Sequence, residues 1–204
     1  AAQKNLSDLP LGDLVELLSH PEGWYRDVAQ RLLVEQADKK VKPLLEKVIV
    51  EGISPFGRFH ALWTLEGLNL LESDILFPLH KDRSTLVRTT AVRLLEKFAS
   101  DDGVRSTLAK ELSTLWRNAP VEQVLQISLS SYTLDSEVAF PILSGIASRY
   151  DTSALIRDAV LSSLENREAN FLATLWQSPG WQQQNPAREI FLEMLTTAIV
   201  RKGM

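Results

Sequence analysis

Trp24-Tyr25-Arg26-Asp27-Val28-Ala29-Gln30-Arg31-Leu32-Leu33 sets an arginine ahead of small and apolar residues at helical spacing. The pattern returns as Arg58-Phe59-His60-Ala61-Leu62-Trp63-Thr64-Leu65, as Arg88-Thr89-Thr90-Ala91-Val92-Arg93-Leu94-Leu95, and as Arg157-Asp158-Ala159-Val160-Leu161. Arg26 and Arg58 are 32 residues apart, and Arg58 and Arg88 are 30 apart. A degenerate copy places Gln123 in the arginine slot, 35 residues beyond Arg88 and 34 before Arg157. A hydrophobic helical motif returning at this period predicts two helices per unit, stacked as an α-solenoid.

Around these repeats the chain reads as a series of helical hairpins. A helix over 11–19 ends at His20-Pro21, because proline disfavours helical geometry in the residue before it. A second helix over 22–37 presents Tyr25, Val28, Ala29, Leu32 and Leu33 on one face. Later hairpins pair 41–50 with 56–70, 74–80 with 85–98, 103–117 with 121–131, and 137–149 with 153–164. Gly52 suits a helix C-terminus and Ser54-Pro55 a helix start. A less regular sixth unit joins 168–176 to a closing helix over 186–201 through the polar loop Gln177–Asn185. No stretch alternates with period two, so no sheet is expected. The predicted fold is all-α, one domain over 1–204, with repeats at 8–37, 38–70, 72–99, 101–133, 135–166 and 167–204 and a right-handed superhelix.

Composition narrows the chemistry. Of the 204 residues 45% are hydrophobic and 24% charged, the balance of a chain that buries a core. No apolar run is long enough to span a bilayer. The net charge of −4 argues against a nucleic-acid binder, which needs a basic face. The absence of cysteine removes disulfides, thiolate metal sites, cysteine nucleophiles and covalent c-type haem attachment from this stretch. Ala1-Ala2-Gln3-Lys4 opens the chain without methionine, and we expect a piece of a longer protein.

Two further marks belong to the repeat. Asp82 and Asp151 each lie six residues before an arginine, Arg88 and Arg157, where an aspartate can cap the second helix and accept from an arginine of a neighbouring unit. Pro43, Pro78 and Pro141, each flanked by Lys or Phe before and Leu or Ile after, occupy like positions in three first helices. This combination resembles the HEAT family of helical repeats, with His20 and Gly52 replacing the turn aspartate in the first two units. The stretches 20–33 and 58–68 resemble more specifically the helical-repeat region of modular bacterial proteins related to sorbosone and glucose dehydrogenases. That resemblance implies a non-catalytic helical module in an exported redox protein, periplasmic or secreted, beside a β-propeller and a c-type cytochrome domain. Neither Cys-x-x-Cys-His nor propeller-like strands occur in these residues, so no catalytic or cofactor-binding residue carries over.

The residues that exceed what the repeat requires are the candidate partner-binding set: Trp24, Arg26, Asp27, Arg31, Arg58, His60 and Trp63, with Glu66 beside them. Arginine forks flanked by indoles supply hot spots for a protein or an anion. The competing reading is internal, with arginines bridging units through helix-end carbonyls and acids. His20, His60 and His80 have no metal-like spacing, and no metal is expected. Asp101-Asp102 and Glu165 with Glu168 fall at turns, where acids cap helices. No Gly-x-Ser-x-Gly turn or phosphate loop occurs. The expected function is a protein-interaction or scaffolding module that holds neighbouring domains or a partner, without cofactor and without membrane insertion. The alternative is a nucleic-acid enzyme, since some alkylpurine DNA glycosylases are built from HEAT-like repeats and use Trp, Asp and Arg. Trp24, Arg26 and Asp27 would be its foothold.

Overall fold

A computed structural model describes residues 5–201 and Gly203. Among the described residues the chain is all-helical, with no strand. Twelve α-helices run in order: α1 (Leu11–Leu17), α2 (Gly23–Gln36), α3 (Lys42–Glu51), α4 (Pro55–Gly67), α5 (Ser73–Leu76), α6 (Thr85–Leu95), α7 (Asp102–Leu115), α8 (Val121–Ser130), α9 (Ser136–Arg149), α10 (Ala154–Ser162), α11 (Glu168–Trp176) and α12 (Pro186–Arg201). The described residues form two compact units, divided between Leu94 and Leu95.

The helix ends follow local chemistry. Ser54 accepts from the Gly57 amide at 3.2 Å and Pro55 occupies the first turn, which fixes the start of α4. Asp101 caps α7 by accepting from the Val104 amide at 2.9 Å. Ala37, at φ 52°, ends α2 in the left-handed conformation without a glycine. Gly52 does end α3, but at φ −62° and extended, so its role is not a left-handed cap. A Cβ there would lie 2.3 Å from the Val48 carbonyl oxygen and 3.3 Å from Cγ of Arg58; glycine makes room for both.

Three sequence expectations need correction. The helix expected over 74–80 is α for four residues only and then tightens to a 3-10 turn, Phe77–Lys81. The three prolines are not equivalent: Pro43 opens α3, Pro78 opens that 3-10 turn, and Pro141 lies inside α9. Pro141 has no amide to offer the Glu137 carbonyl, and both residues are exposed, so the lost bond falls on the wet side of the helix. Asp151 does not cap α10, because Ser153 does, accepting from the Ile156 amide at 3.4 Å.

In the first unit α1 packs on α2 and α3, α3 packs on α4, and α2 packs on α4. Leu14, Leu18, Leu33, Leu45, Ile49, Leu62 and Leu65 are fully buried between them. Each such side chain contributes roughly 1.5–3 kcal/mol on leaving water. In the second unit α7 packs on α9, α9 on α8, α10 and α11, α8 on α10, and α11 on α12. Phe171 sits between Phe140 and Phe191, at 5.3 and 6.4 Å between ring centroids. The polar loop before α12 turns inward: Trp181 is 3% exposed and its Nε1 donates to Oγ of Ser148 at 2.9 Å.

Small residues set the closest approaches. A Cβ on Gly57 would meet Ser19 Oγ at 2.1 Å and the Ser19 Cα at 3.3 Å, whereas one on Gly12 would meet nothing within 4 Å. We expect Gly57→Ala to destabilise the protein, and Gly12→Ala, in an exposed helix, to stabilise it by about 0.5–1 kcal/mol in chemical denaturation. Ala61 and Ala91 are both buried to 0% exposure. Leucine at either position is expected to cost on the order of 1–3 kcal/mol by overpacking, read as a lower thermal midpoint.

Candidate functional site

Two of the four repeated arginines, Arg26 and Arg88, turn back on their own turns. Nη1 of Arg26 donates to the carbonyls of His20 and Pro21 at 2.6 and 2.8 Å, and its guanidinium lies 4.6 Å from the Phe56 ring centroid. Nη1 of Arg88 donates to the carbonyl of Asp82 at 2.6 Å, again six residues back. Arg105 reaches the Ala99 carbonyl by the same step, at 3.3 Å. Each bond satisfies a carbonyl in the sharp turn before a helix, a place where helix geometry supplies no donor.

Arg58 departs from this pattern and is the most buried of the set, at 4% exposure. Position 52, six residues before it, is the glycine that admits its stem. Its Nη1 reaches forward to Oδ2 of Asp82, while Oδ1 of Asp82 accepts from the Ser84 amide at 2.7 Å. Asp82 therefore joins an arginine of the preceding hairpin to the turn of its own, as the sequence pattern predicts. Nε and Nη2 of Arg58 are buried without a hydrogen-bond partner, so the charge depends on a single carboxylate. Asp151 works from the opposite direction, accepting from Asn185 at 3.2 Å and lying 3.4 Å from Nε of Arg188 in the next hairpin. Among the described residues no hydrogen bond joins Arg157 to Asp151, and Nε of Arg157 is buried without a partner.

His60 is likewise enclosed. Its Nδ1 donates to Oε1 of Gln30 at 2.7 Å, and Nε2 lies 4.0 Å from Asp27. The pKa of the imidazole is lowered, chiefly because burial penalises the charged ring; Asp27 opposes the shift and Arg26 adds to it. His20 and His80 serve turns: Nδ1 of His20 accepts from the Glu22 amide at 3.1 Å, and Nδ1 of His80 donates to the Phe77 carbonyl. Among the described residues no group of three or more histidines and acids is arranged to hold a metal ion.

The sequence-predicted set thus divides. Arg26, Arg58 and His60 are engaged within the fold, whereas Trp24, Asp27 and Arg31 face outward and Trp63 is half-buried. Trp24 is 60% exposed, with its ring edge-on to Tyr25 at 4.9 Å. Arg31 makes only an i,i+4 pair with Glu35 at 3.8 Å, with both side chains in solvent. Two shallow clefts meet at Arg31. One, about 440 Å³, runs past Trp24 and Val28 to Leu6 and Ser7. The other, about 410 Å³, runs past Asp27 and Gln30 to Trp63, Glu66 and Gly67. Gly67 lies against Val34, where an added Cβ would approach the Val34 side chain to 3.0 Å.

Neither a family model nor a curated protein matches this chain. Among solved structures, the crystal structure of an engineered protein from the Northeast Structural Genomics Consortium is similar to it at a TM-score of 0.50, covering 92% of this chain and 96% of that one. The two are 13% identical, so the likeness concerns the path of the backbone alone.

Two residues that shape the site were not legible as part of it. Leu6 enters through the 3-10 turn Leu6–Asp8, started by the Asn5 side chain accepting from the Ser7 amide at 3.4 Å. Phe56 enters as the platform for Arg26; its place just inside a Ser-Pro helix start is the only sequence signal for it.

Removing Asp82 leaves the Arg58 charge buried and alone. We expect Asp82→Ala to cost about 3–5 kcal/mol in denaturant unfolding, and Arg58→Met, which removes the charge and keeps the stem, to cost less. Because the folded pKa of His60 lies below its ordinary value of 6.5, its contribution to stability is complete above that pH and is lost as pH falls through the folded value. The thermal midpoint of His60→Gln is expected to lose that part of the acid dependence, in unfolding scans between neutral and mildly acidic pH.

Proposed function

We propose that the chain is a non-catalytic protein-interaction and scaffolding module, an α-solenoid of about six HEAT-like hairpins in a right-handed superhelix. The stacking of α1 on α3 and α2 on α4 supports the hairpin reading in the first unit. The packing of α7, α9 and α11 in succession, beside α8 on α10, supports it in the second. Arg26 and Arg88, which satisfy the carbonyls of the turns before their helices, meet a packing need and not a chemical one.

The observation that carries the interaction reading is the exposed Trp24 beside Arg31. An indole left largely in water next to an arginine without a strong intramolecular partner is the composition of an interface hot spot. The clefts on either side of Arg31 give a partner two places to seat side chains. The module is read as holding neighbouring domains of the same chain or a separate protein in a fixed relation. Its resemblance to the helical region of dehydrogenase-like bacterial proteins favours an exported redox assembly, periplasmic or secreted, as the setting. A nucleic-acid enzyme draws no support from Arg26, whose guanidinium is spent on two carbonyls and an aromatic face.

The test is comparative affinity capture with the intact chain and with Trp24→Ala and Arg31→Ala. A bound protein identified by mass spectrometry should be retained by the intact chain. Truncation of Trp24 is expected to weaken it by about 2 kcal/mol, or roughly thirtyfold in Kd, with the thermal midpoint unchanged. Equal retention by all three proteins, or no partner at all, would tell against this surface.

A further inference from the structure

A second recess, built from different residues, lies between α1 and α3. Its volume is about 700 Å³, and its apolar wall is formed by Val15, Leu44, Val48 and Ile53. Ile53 is 85% exposed and Leu44 39%, so apolar surface stands open on the rim as well as below it. Gly12, with nothing within 4 Å of where a Cβ would stand, leaves one side unobstructed.

The charge around this recess is arranged against its own helices. Glu16 lies in the last turn of α1, and Glu51 is the last residue of α3. Helix C-termini carry partial negative charge from the aligned peptide dipoles and favour cations. Neither helix has a base in its last turn, and among the described residues neither acid has an ion-pair partner. Lys47 is the one base on the lining. Two carboxylates at the C-terminal ends of two helices therefore flank an apolar trough, and a cation on an incoming apolar segment would be favoured at both.

We propose that the recess between α1 and α3 receives a cationic amphipathic helix of a partner protein. Its apolar face lies against Leu44, Val48 and Ile53, and its lysines or arginines lie against Glu16 and Glu51. A groove between two helices takes an amphipathic helix through anchors at i, i+3, i+4 and i+7. The acidic rim repels an anionic lipid surface, which sets a protein segment ahead of a membrane as the occupant. The site shares no lining residue with the clefts at Arg31, so the two surfaces stand or fall separately.

The experiment uses the whole chain and two fluorescent peptides of about four helical turns. Both carry leucine at the anchor positions; one has lysine and the other glutamate on the polar face. Fluorescence polarisation should show the lysine peptide binding at least about tenfold more tightly than the glutamate peptide. Glu16→Lys combined with Glu51→Lys should reverse that order. Ile53→Ser, which leaves the charge unchanged at an exposed position, should weaken the lysine peptide by about tenfold. Trp24→Ala should change nothing, so failure here is distinguishable from failure of the Trp24 surface. Undiminished binding by Ile53→Ser, or an unreversed preference in the lysine double variant, would show attraction to net charge alone and overturn the proposal. So would a concentration-dependent dimer abolished by Ile53→Ser, which would make a second copy the occupant. Binding to vesicles of phosphatidylserine and phosphatidylcholine through Ile53 would make it a lipid surface and equally overturn it.

Discussion

The turns before α2 and α6 expose backbone carbonyls where the chain reverses, and an arginine placed six residues later answers them in each. Arg26 on His20 and Arg88 on Asp82 are the same solution, six residues apart in both cases. Helix entry angles are fixed this way without long-range pairing, and the apolar faces of the hairpins can then meet in register. A guanidinium suits the task because its several donors lie in one plane on a stem that packs against apolar neighbours. At Gly52 the missing side chain leaves room for the stem of Arg58, whose guanidinium reaches forward to Asp82 instead. The Arg58–Asp82 pair is the outcome.

That difference between otherwise equivalent positions separates stability from recognition. Arginines that serve the turns have little left to offer a partner, whatever their type suggests. Asp27 and Arg31 occupy the same helix as Arg26 but point elsewhere, and they keep their groups in water. Trp24, one turn before Val28, is likewise outside the core that Ala29 and Leu33 enter. On α2, then, one stripe builds the protein and the adjacent stripe is available to other molecules.

Helix content and most boundaries could be read directly because each helix carries its own period and its own punctuation. The extents of α11 and α12 coincide with the sequence reading, and α2 and α4 differ from it by a few residues at their ends. The weaker points were those where a local pattern has two outcomes. Pro78 can sit in a helix or end one, and the outcome depends on packing beyond the local sequence. Within the polar loop Gln177–Asn185 the local sequence gives Trp181 no direction; the hydroxyl of Ser148, 33 residues earlier, holds it inward. Within the candidate site, residue types were legible but their direction was not. The enclosed His60 donates to Gln30, a half-buried polar residue that periodicity alone gives no reason to pair with it.

The glycines at close approaches bear on how such a chain can change over time. Gly57 is keyed to Ser19, Gly67 to Val34, and Gly145 to the indole of Trp116, whose Cζ2 would lie 2.6 Å from an added Cβ. Each contact matches one hairpin to one particular neighbour. These glycines are therefore tied to particular partners, and moving one of these helices to another place in the chain would bring its glycine opposite the wrong side chain. A chain keyed in this way tolerates change at its exposed positions more readily than at these contacts.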